Sequence, residues 1–293
     1  MGIRFVTDST ADLPVEYIRE HDIRVIPFIY RIGEKEYFDS PSGGENTLTR
    51  AEFYDAMRVG QQPSTSQINE STYAEVFEEI LSSGDDVFYV AFSSGLTGSQ
   101  NSARLAKEAL SEKYPDRKVY IVDSLGASLG EGMLVMMAVD ARAAGKSAEE
   151  IEAELNEAKM HIHHWVTVED LVYLKRGGRI SSATAVVGTM LSIKPMINID
   201  DEGRLVPQER VKGRKRAIKA LAEHLKEKGG DNFSYLTLAH SEADEADIEL
   251  LKEAIRQTTG REAERVVNIT TIIGAHTGPG LLSLLFYAPD SKR

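Results

Sequence analysis

The chain has 293 residues, of which 42% are hydrophobic and 27% charged, and its formal net charge is −12. This acidity argues against general nucleic-acid binding and against electrostatic attachment to an anionic membrane. The absence of cysteine excludes disulfides, thiolate metal sites and cysteine nucleophiles. The N-terminus lacks the apolar core of a signal peptide, and the apolar stretch at residues 281–288 is too short to span a bilayer. We therefore expect a cytoplasmic protein long enough for two domains.

The first half of the chain alternates strand and helix signals. In chain order, the pattern predicts a strand over residues 3–7, a helix over 14–21, a strand over 25–30, helices over 49–60 and 69–82, a strand over 87–92, a helix over 99–113, a strand over 119–122, and helices over 133–144 and 147–160. Residues 61–67 between two of these helices are predicted to be a loop. Strands separated by helices indicate a parallel sheet covered on both faces.

The second half of the chain has a different order of predicted helices and strands. Its pattern predicts a helix over 170–176, strands over 196–199 and 205–207, a helix over 214–228, a strand over 234–240, a helix over 243–259 and a strand over 263–269. The turn signal at residues 200–203 makes the first two of these strands a hairpin. A hairpin mixed with helices indicates a mixed sheet, so we expect two α/β domains, residues 1–160 and 161–293.

One loop has the composition of an anion site. Residues 92–99 read Phe-Ser-Ser-Gly-Leu-Thr-Gly-Ser and lie between a predicted strand and a predicted helix. Glycine lets the backbone approach a ligand closely, and the first N–H groups of a helix lack partners within the helix. Ligands of open α/β sheets also bind at the carboxyl ends of the strands. The alternative is a hydroxyl-rich helix cap.

Three further clusters could contribute polar groups. Residues 63–67 form a second hydroxyl-rich segment that includes Thr65, and residues 273–280 place His276 among small residues. Helix capping and a structural histidine are the alternatives for these two. Arg179 lies beyond the glycines that end the predicted helix at 170–176, so an anion is one explanation for it.

Other site types have less support. His161, His163 and His164 are interpreted as structural or surface residues, because no cysteine or HExxH pattern accompanies them. Phosphate-binding glycine loops are absent from the sequence. A hydrolase could still combine Ser94 and His276 with Asp123, since catalytic triads are spatial.

A basic run stands out in this acidic chain. It is either a solvated helix start or a docking face for an acidic partner, although cations at a helix start oppose the helix dipole. Its members are Arg210, Lys212, Arg214, Lys215, Arg216 and Lys219.

Taken in order, these clusters resemble the DegV family, the bacterial fatty-acid-binding proteins that include the binding subunits of fatty acid kinase. The resemblance covers essentially the whole chain. It departs at Ile68, where the family usually has proline, at Thr97, where serine is commoner, and at residues 281–283, which replace a glycine-rich ending. The matching segments are residues 6–14, 65–67, 93–99, 123–124, 174–180, 194–195 and 276–280.

The resemblance implies a lipid pocket between an N-terminal domain, with a parallel sheet flanked by helices, and a C-terminal domain, with a mixed sheet and helices. The ligand would be a long-chain fatty acid in a buried tunnel, with no other cofactor. A separate fatty acid kinase would phosphorylate the bound carboxylate, so the chain itself would not be an enzyme. By resemblance the carboxylate would be held by Thr65, Ser94, Thr97, Arg179 and His276, and the kinase would dock near Arg210, Arg214, Lys215 and Arg216.

Two other functions remain open at this point. One is a small-molecule hydrolase or transferase that uses Ser94 and His276. The other is a regulatory module whose loops bind a phosphorylated metabolite and which has no apolar tunnel. The apolar segments at residues 133–144 and 185–193 are candidate tunnel walls, with ordinary core packing as the alternative.

Overall fold

The computed structural model describes residues 2–181 and 192–293. Its strands are β1 (Ile3–Asp8), β2 (Arg24–Ile26), β3 (Phe28–Ile32), β4 (Lys35–Asp39), β5 (Ser64–Ser66), β6 (Asp86–Ala91), β7 (Val119–Asp123), β8 (Ile162–Thr167), β9 (Ile193–Ile199), β10 (Leu205–Lys212), β11 (Ser234–His240), β12 (Arg265–Asn268) and β13 (Leu282–Tyr287). Its α-helices are α1 (Val15–Glu20), α2 (Arg50–Arg58), α3 (Glu70–Ser82), α4 (Ser99–Lys113), α5 (Leu129–Ala143), α6 (Ala148–Ala158), α7 (Val172–Arg176), α8 (Arg214–Gly229), α9 (Glu245–Thr259) and α10 (Thr271–Thr277).

The first sheet has four parallel strands in the order β2-β1-β6-β7. Alternate residues of its strands enter two different cores, because successive side chains of a strand point to opposite faces. Phe5 and Phe88 pack with α5 and α6 on one face, and Val6 and Tyr89 pack with α3 and α4 on the other. The parallel sheet with two covered faces is therefore confirmed.

The second sheet has six strands in the order β10-β9-β8-β13-β11-β12. All neighbours are antiparallel except β11 and β12, so the predicted mixed sheet is also confirmed. One face, with Trp165 and Leu284, packs on α8 and α9. The opposite face, with Val166 and Leu285, is turned toward a cavity.

A third sheet, β4-β3-β5, was not predicted in full. The pattern predicted part of β3, but β4 was placed in no element and β5 was placed in a loop. Tyr30 at the centre of β3 lies opposite Tyr37 on β4 and Thr65 on β5. This small sheet brings Thr65 to the rest of the molecule.

The second half also differs from the prediction at two points. β10 continues to Lys212 through an irregularity between Pro207 and Glu209, so part of the basic run lies on an edge strand and not at a helix start. Residues 271–277, which the pattern left without an element, form α10. Residues 182–191, most of a predicted tunnel wall, lie outside the described residues.

Within residues 2–181 and 192–293, none of the helices combines the length and the hydropathy that crossing a membrane requires.

Candidate functional site

A cavity of about 300 Å³ lies against the free face of the six-stranded sheet. Its volume is at the lower end of the roughly 300–1,000 Å³ typical of small-molecule sites. Apolar side chains form most of its wall. They come from the sheet, from α7 and α10, and from the loop after β6, and include Phe92, Leu96, Val166, Leu174, Ile197, Ile199, Leu205, Ile269, Ile272 and Leu285.

The polar groups of the cavity include a hydrogen-bonded pair. Thr65 Oγ1 on β5 and His276 Nε2 in the last turn of α10 are 2.8 Å apart. The end of α7 packs on the imidazole ring, since a Cβ placed on Gly177 would come within 2.1 Å of His276 Nδ1. The two polar residues, 211 positions apart in the chain, therefore meet at a fixed point of the cavity wall.

The charge at this point belongs to Arg179. Burial, followed by the positive charge of Arg179, lowers the pKa of His276 to about 4, so the imidazole is neutral at pH 7. Arg179 donates from Nε to the Leu96 carbonyl at 3.1 Å and from Nη1 to the Gly177 carbonyl. Burial lowers the pKa of the Arg179 guanidinium, which nevertheless keeps its charge. No ion pair joins Arg179 to a carboxylate within the part of the chain that the structure describes, which leaves a partly buried cation beside an apolar cavity.

The loop between β6 and α4 contributes two further lining residues, Thr97 and Gly98. Thr97 Oγ1 lies 2.9 Å from Ser99 Oγ and accepts from the N–H of Ser99, the first residue of α4, at 3.2 Å. The loop is held against the β9–β10 hairpin, because Ser93 Oγ donates to the Gly203 carbonyl at 2.8 Å. The loop therefore borders the cavity, and no side chain caps α4 at its N-cap residue, Gly98.

Ser94 is placed differently from the other four candidate residues. Thr65, Thr97, Arg179 and His276 line the cavity, whereas Ser94 is exposed and is not part of its wall. The Ser94 N–H donates to Asp123 Oδ1 at 3.2 Å.

The catalytic alternative would need Ser94, His276 and Asp123 to form one chain of hydrogen bonds. His276 Nε2 is paired with Thr65, and Asp123 Oδ1 accepts backbone N–H groups from Ser94 and Leu125. The hydrogen bonds given for these three residues therefore do not assemble a triad.

Two cavity-lining residues, Ser128 and His164, were not among the predicted ligand contacts. Ser128 donates to Asp12 Oδ2, and His164 Nε2 accepts from the Ala127 N–H at 3.3 Å. Burial lowers the pKa of His164 to about 3, so its ring is neutral. These two hydrogen bonds, from Ser128 to Asp12 and from the Ala127 N–H to His164, fix the segment before α5. His164 lies among neighbouring histidines, so no sequence signal distinguished it. Ser128 is the serine of a GxSxG segment over residues 126–130, a signal that could have found it, and its φ of 56° is uncommon outside glycine.

The remaining histidines and the basic run have structural surroundings. His163 is buried and stacks on Phe286 with ring centroids 4.9 Å apart. No group of three potential metal ligands occurs among residues 2–181 and 192–293.

In the basic run, Arg214 Nε lies 2.9 Å from Glu169 Oε1 and 2.7 Å from Asp247 Oδ2. The side chains of Arg210, Lys215 and Arg216 are exposed.

Comparisons with known proteins agree with this architecture. A protein of Clostridium perfringens, named as DegV domain-containing, is 41% identical over 98% of this chain and 97% of its own length. A DegV family protein from Thermus thermophilus, whose structure is described as fatty acid binding, is 32% identical with a TM-score of 0.85 over 98% of this chain and 100% of that one. DegV from Bacillus subtilis, described as a fatty acid binding protein, is 30% identical with a TM-score of 0.83 over 98% and 99%.

The family model described as "Uncharacterised protein, DegV family" matches residues 2–289. Because that match covers nearly the whole chain and the relatives align over nearly their full lengths, the chain belongs to the DegV family.

Proposed function

We propose that the chain binds a long-chain fatty acid in the cavity, with the carboxylate at Thr65, His276 and Arg179. The observation that carries this proposal is the partly buried guanidinium of Arg179 on the wall of a cavity whose other lining residues are mostly apolar. A carboxylate there would gain a cation and hydroxyl donors, which a buried anion requires. The fatty-acid-binding descriptions of the Thermus thermophilus and Bacillus subtilis proteins support the same ligand class.

The energetics favour a ligand with a long alkyl chain. Each buried methylene contributes about 0.8 kcal/mol, so some fifteen methylenes contribute on the order of 12 kcal/mol before the costs of association. Affinity would come mainly from the apolar wall, and the polar groups would set the orientation of the carboxylate. In this proposal residues 1–160 and 161–293 are the two domains that enclose the ligand.

The first experiment identifies the ligand. The purified protein is denatured and extracted with organic solvent, and the extract is analysed by mass spectrometry. We expect a fatty acid in a near one-to-one ratio to protein. A folded, lipid-free protein that also fails to bind added octadecanoate would overturn the proposal.

The second experiment tests the polar end. Thr65→Val keeps the shape of the side chain and removes its hydroxyl, so we expect octadecanoate to bind about tenfold more weakly, the equivalent of one hydrogen bond to a charged group. Ser64→Ala is the matched control, because Ser64 is exposed on the same strand and does not line the cavity. Equal affinities for the two variants would count against a role for Thr65.

We further propose that a separate ATP-dependent kinase phosphorylates the bound carboxylate and docks on Arg210, Lys215 and Arg216. Their exposure and positive charge suit an acidic partner surface. A cytoplasmic location goes with this proposal, because the kinase reaction consumes ATP. Arg214 is left out of the docking group, since it is engaged by Glu169 and Asp247.

The docking proposal predicts that one triple substitution reduces phosphorylation and leaves the affinity for the lipid unchanged. Replacing Arg210, Lys215 and Arg216 together by glutamate should reduce acyl phosphate formation by the ATP-binding subunit of a bacterial fatty acid kinase at least tenfold. The affinity for octadecanoate should stay within a factor of two, because these side chains do not line the cavity. Unchanged phosphorylation, or loss of lipid binding instead, would contradict the docking surface.

A further inference from the structure

α10 carries His276 in its last turn, and its placement depends on groups outside the helix. It has seven residues and contains Gly274, and the side chain of its N-cap residue, Thr270, makes no capping hydrogen bond. A helix this short is marginal by itself, and glycine lowers its propensity further. The position of His276 is therefore set by the contacts that hold α10.

The first turn of α10 is held by a buried carboxyl group. Thr271 Oγ1 donates to Asp39 Oδ1 at 2.8 Å, and the two residues are 3% and 6% exposed. Asp39 is the last residue of β4, an outer strand of the small sheet β4-β3-β5. This sheet therefore holds the start of the helix.

The last turn of α10 is held by the other outer strand of the same sheet. Thr65 Oγ1 on β5 lies 2.8 Å from His276 Nε2, and α10 packs on β3 and β5. Five residue steps separate Thr271 from His276, about 7.5 Å along a helix axis, and two strand spacings separate β4 from β5, about 9.5 Å. These lengths agree, so α10 crosses the sheet with Asp39 at one end and Thr65 at the other.

Asp12 and Arg50 also hold this part of the chain, but they bind the backbone of the segment that leads into α10. Asp12 follows β1 and Arg50 begins α2, so neither belongs to the small sheet. Asp39 does belong to it. Its contact therefore ties the start of α10 to the sheet that carries Thr65.

We propose that Asp39 is a positioning residue for the carboxylate site, which holds α10 across the small sheet so that His276 stays paired with Thr65. This inference rests on the proposed fatty acid binding and adds a residue that does not itself line the cavity. Without the Asp39 contact, α10 would occupy several placements, and the ligand would have to select the one that pairs His276 with Thr65. Apparent affinity falls with the fraction of protein in that placement.

The first test follows the His276 ring by NMR in the ligand-free, full-length protein. Asp39→Leu keeps a branched side chain but removes both oxygens, so we expect the ring to lose burial and its pKa to rise from about 4 by about one pH unit. Burial and Arg179 lower this pKa, and Asp39 is not among the causes, so the shift reports packing and not a lost charge. Asp39→Asn keeps an acceptor for Thr271 and should restore a value near 4.

The second test measures octadecanoate affinity in the delipidated protein. We expect Asp39→Leu to weaken binding about fivefold, the equivalent of one hydrogen bond, and Asp39→Asn to stay within about a factor of two of the unmodified protein. Thr65→Val should weaken binding less in the Asp39→Leu background than in the unmodified protein, because the pair of Thr65 and His276 is already displaced.

Two further variants serve as controls. Thr271→Val removes the same hydrogen bond from the side of α10 with a side chain of nearly equal shape, and it should reproduce both effects even if Asp39→Leu fails to fold. Glu36→Leu is the matched control, because Glu36 is an exposed carboxylate on the same strand that pairs with Arg31 and does not line the cavity. It should change neither the titration nor the affinity.

An unshifted His276 titration in Thr271→Val, or an equal shift in Asp39→Asn, overturns this inference and leaves the proposed function standing. Additive losses of affinity for Asp39→Leu and Thr65→Val overturn it as well, since they would show that the two residues act separately. Failure of the unmodified protein to bind any fatty acid overturns the proposed function, and with it the role of Asp39 at a carboxylate site.

Discussion

At the scale of single residues, the protonation state of His276 sets the charge at the polar end of the cavity. Burial and the nearby Arg179 lower its pKa to about 4, so in the ligand-free protein the ring is neutral at pH 7. We expect the His276 ring resonance, followed by NMR against pH and assigned with His276→Gln, to titrate near pH 4. The stability that this neutral ring contributes is present above the unfolded pKa of about 6.5 and is lost as pH falls toward 4.

Two changes should move that titration upward. Arg179→Met removes a nearby positive charge, and a bound carboxylate adds a negative one, so each should raise the pKa of His276. A midpoint near 6.5 in the ligand-free protein would show that the ring is more exposed than its packing against Gly177 indicates.

The sequence predicted this polar cluster better than it predicted the direction of each side chain. Thr65, Thr97, Arg179 and His276 all border the cavity, as their motifs suggested, whereas Ser94 is turned to solvent and its neighbour Ser93 is buried. In a loop of adjacent hydroxyls, the orientation depends on distant partners. Here the partners are the Gly203 carbonyl for Ser93 and Asp123 for the Ser94 backbone, and neither is visible from local pattern.

At the scale of elements, Arg214 fastens the start of α8. Its Nε lies between Glu169 and Asp247, and its Nη2 donates to the Gly280 carbonyl at 2.7 Å. We expect Arg214→Ala to lower the free energy of unfolding by about 2 kcal/mol, less than for a fully buried pair because Glu169 is partly exposed. Arg216→Ala, on the exposed face of the same helix, should change it by about 0.5 kcal/mol or less.

Chemical denaturation with urea measures both variants. Equal midpoints and slopes for Arg214→Ala and Arg216→Ala would show that the ion pairs contribute nothing to folding. Arg214 would then be available as a docking residue together with Arg210, Lys215 and Arg216.

The elements that the sequence did not predict share a physical cause. Ser64, Thr65 and Ser66 are polar and form a three-residue strand only because β3 offers hydrogen-bonding partners. α10 has seven residues and contains Gly274, and the start of α5 contains Gly130 and Gly132, so intrinsic propensity is against both. At these places tertiary packing decides the structure. A Cβ on Gly130 would come within 1.9 Å of His164 Nε2, and one on Gly274 within 2.2 Å of the Tyr54 hydroxyl.

At the scale of the whole molecule, buried acids help to join the two halves of the chain. Asp12 Oδ1 accepts from the Thr270 N–H at 2.8 Å, and Asp39 Oδ1 accepts from Thr271 Oγ1 at 2.8 Å. Burial raises the pKa of Asp12 to about 7 and also raises that of Asp39. Residues 6–14, which the family resemblance marked without explaining, therefore contribute through Asp12 to the contact between the two halves of the chain.

Glu131 illustrates how buried carboxyl groups make the free energy of unfolding depend on pH. It is fully buried in the first turn of α5, where Oε1 accepts from Thr7 Oγ1 at 2.8 Å and Oε2 lies 3.0 Å from Thr10 Oγ1. Burial, then repulsion from the carboxylate of Asp8, raises the pKa of Glu131 well above 4.5, while burial raises that of Asp8 to about 6. The folded state consequently holds protons that the unfolded chain releases, so each raised carboxyl makes the fold less stable as pH rises.

Buried histidines act in the opposite direction over part of the same range, because the pKa values of His163, His164 and His276 are lowered to between about 3 and 4. The total pH profile therefore cannot isolate Glu131, but the difference between wild type and Glu131→Gln can. We expect this difference to be nearly constant below pH 4.5. Above that pH it should turn in favour of the glutamine variant by up to about 1.4 kcal/mol per pH unit, until the folded-state pKa of Glu131 is reached.

The amide of Glu131→Gln keeps a neutral polar group opposite Thr7 and Thr10 and never ionises. Glu108→Gln, at an exposed position on α4, is the surface control for the same substitution. Urea unfolding from pH 4 to pH 8 measures all three proteins, and a flat profile for Glu131→Gln would mean that Glu131 is ionised in the folded protein.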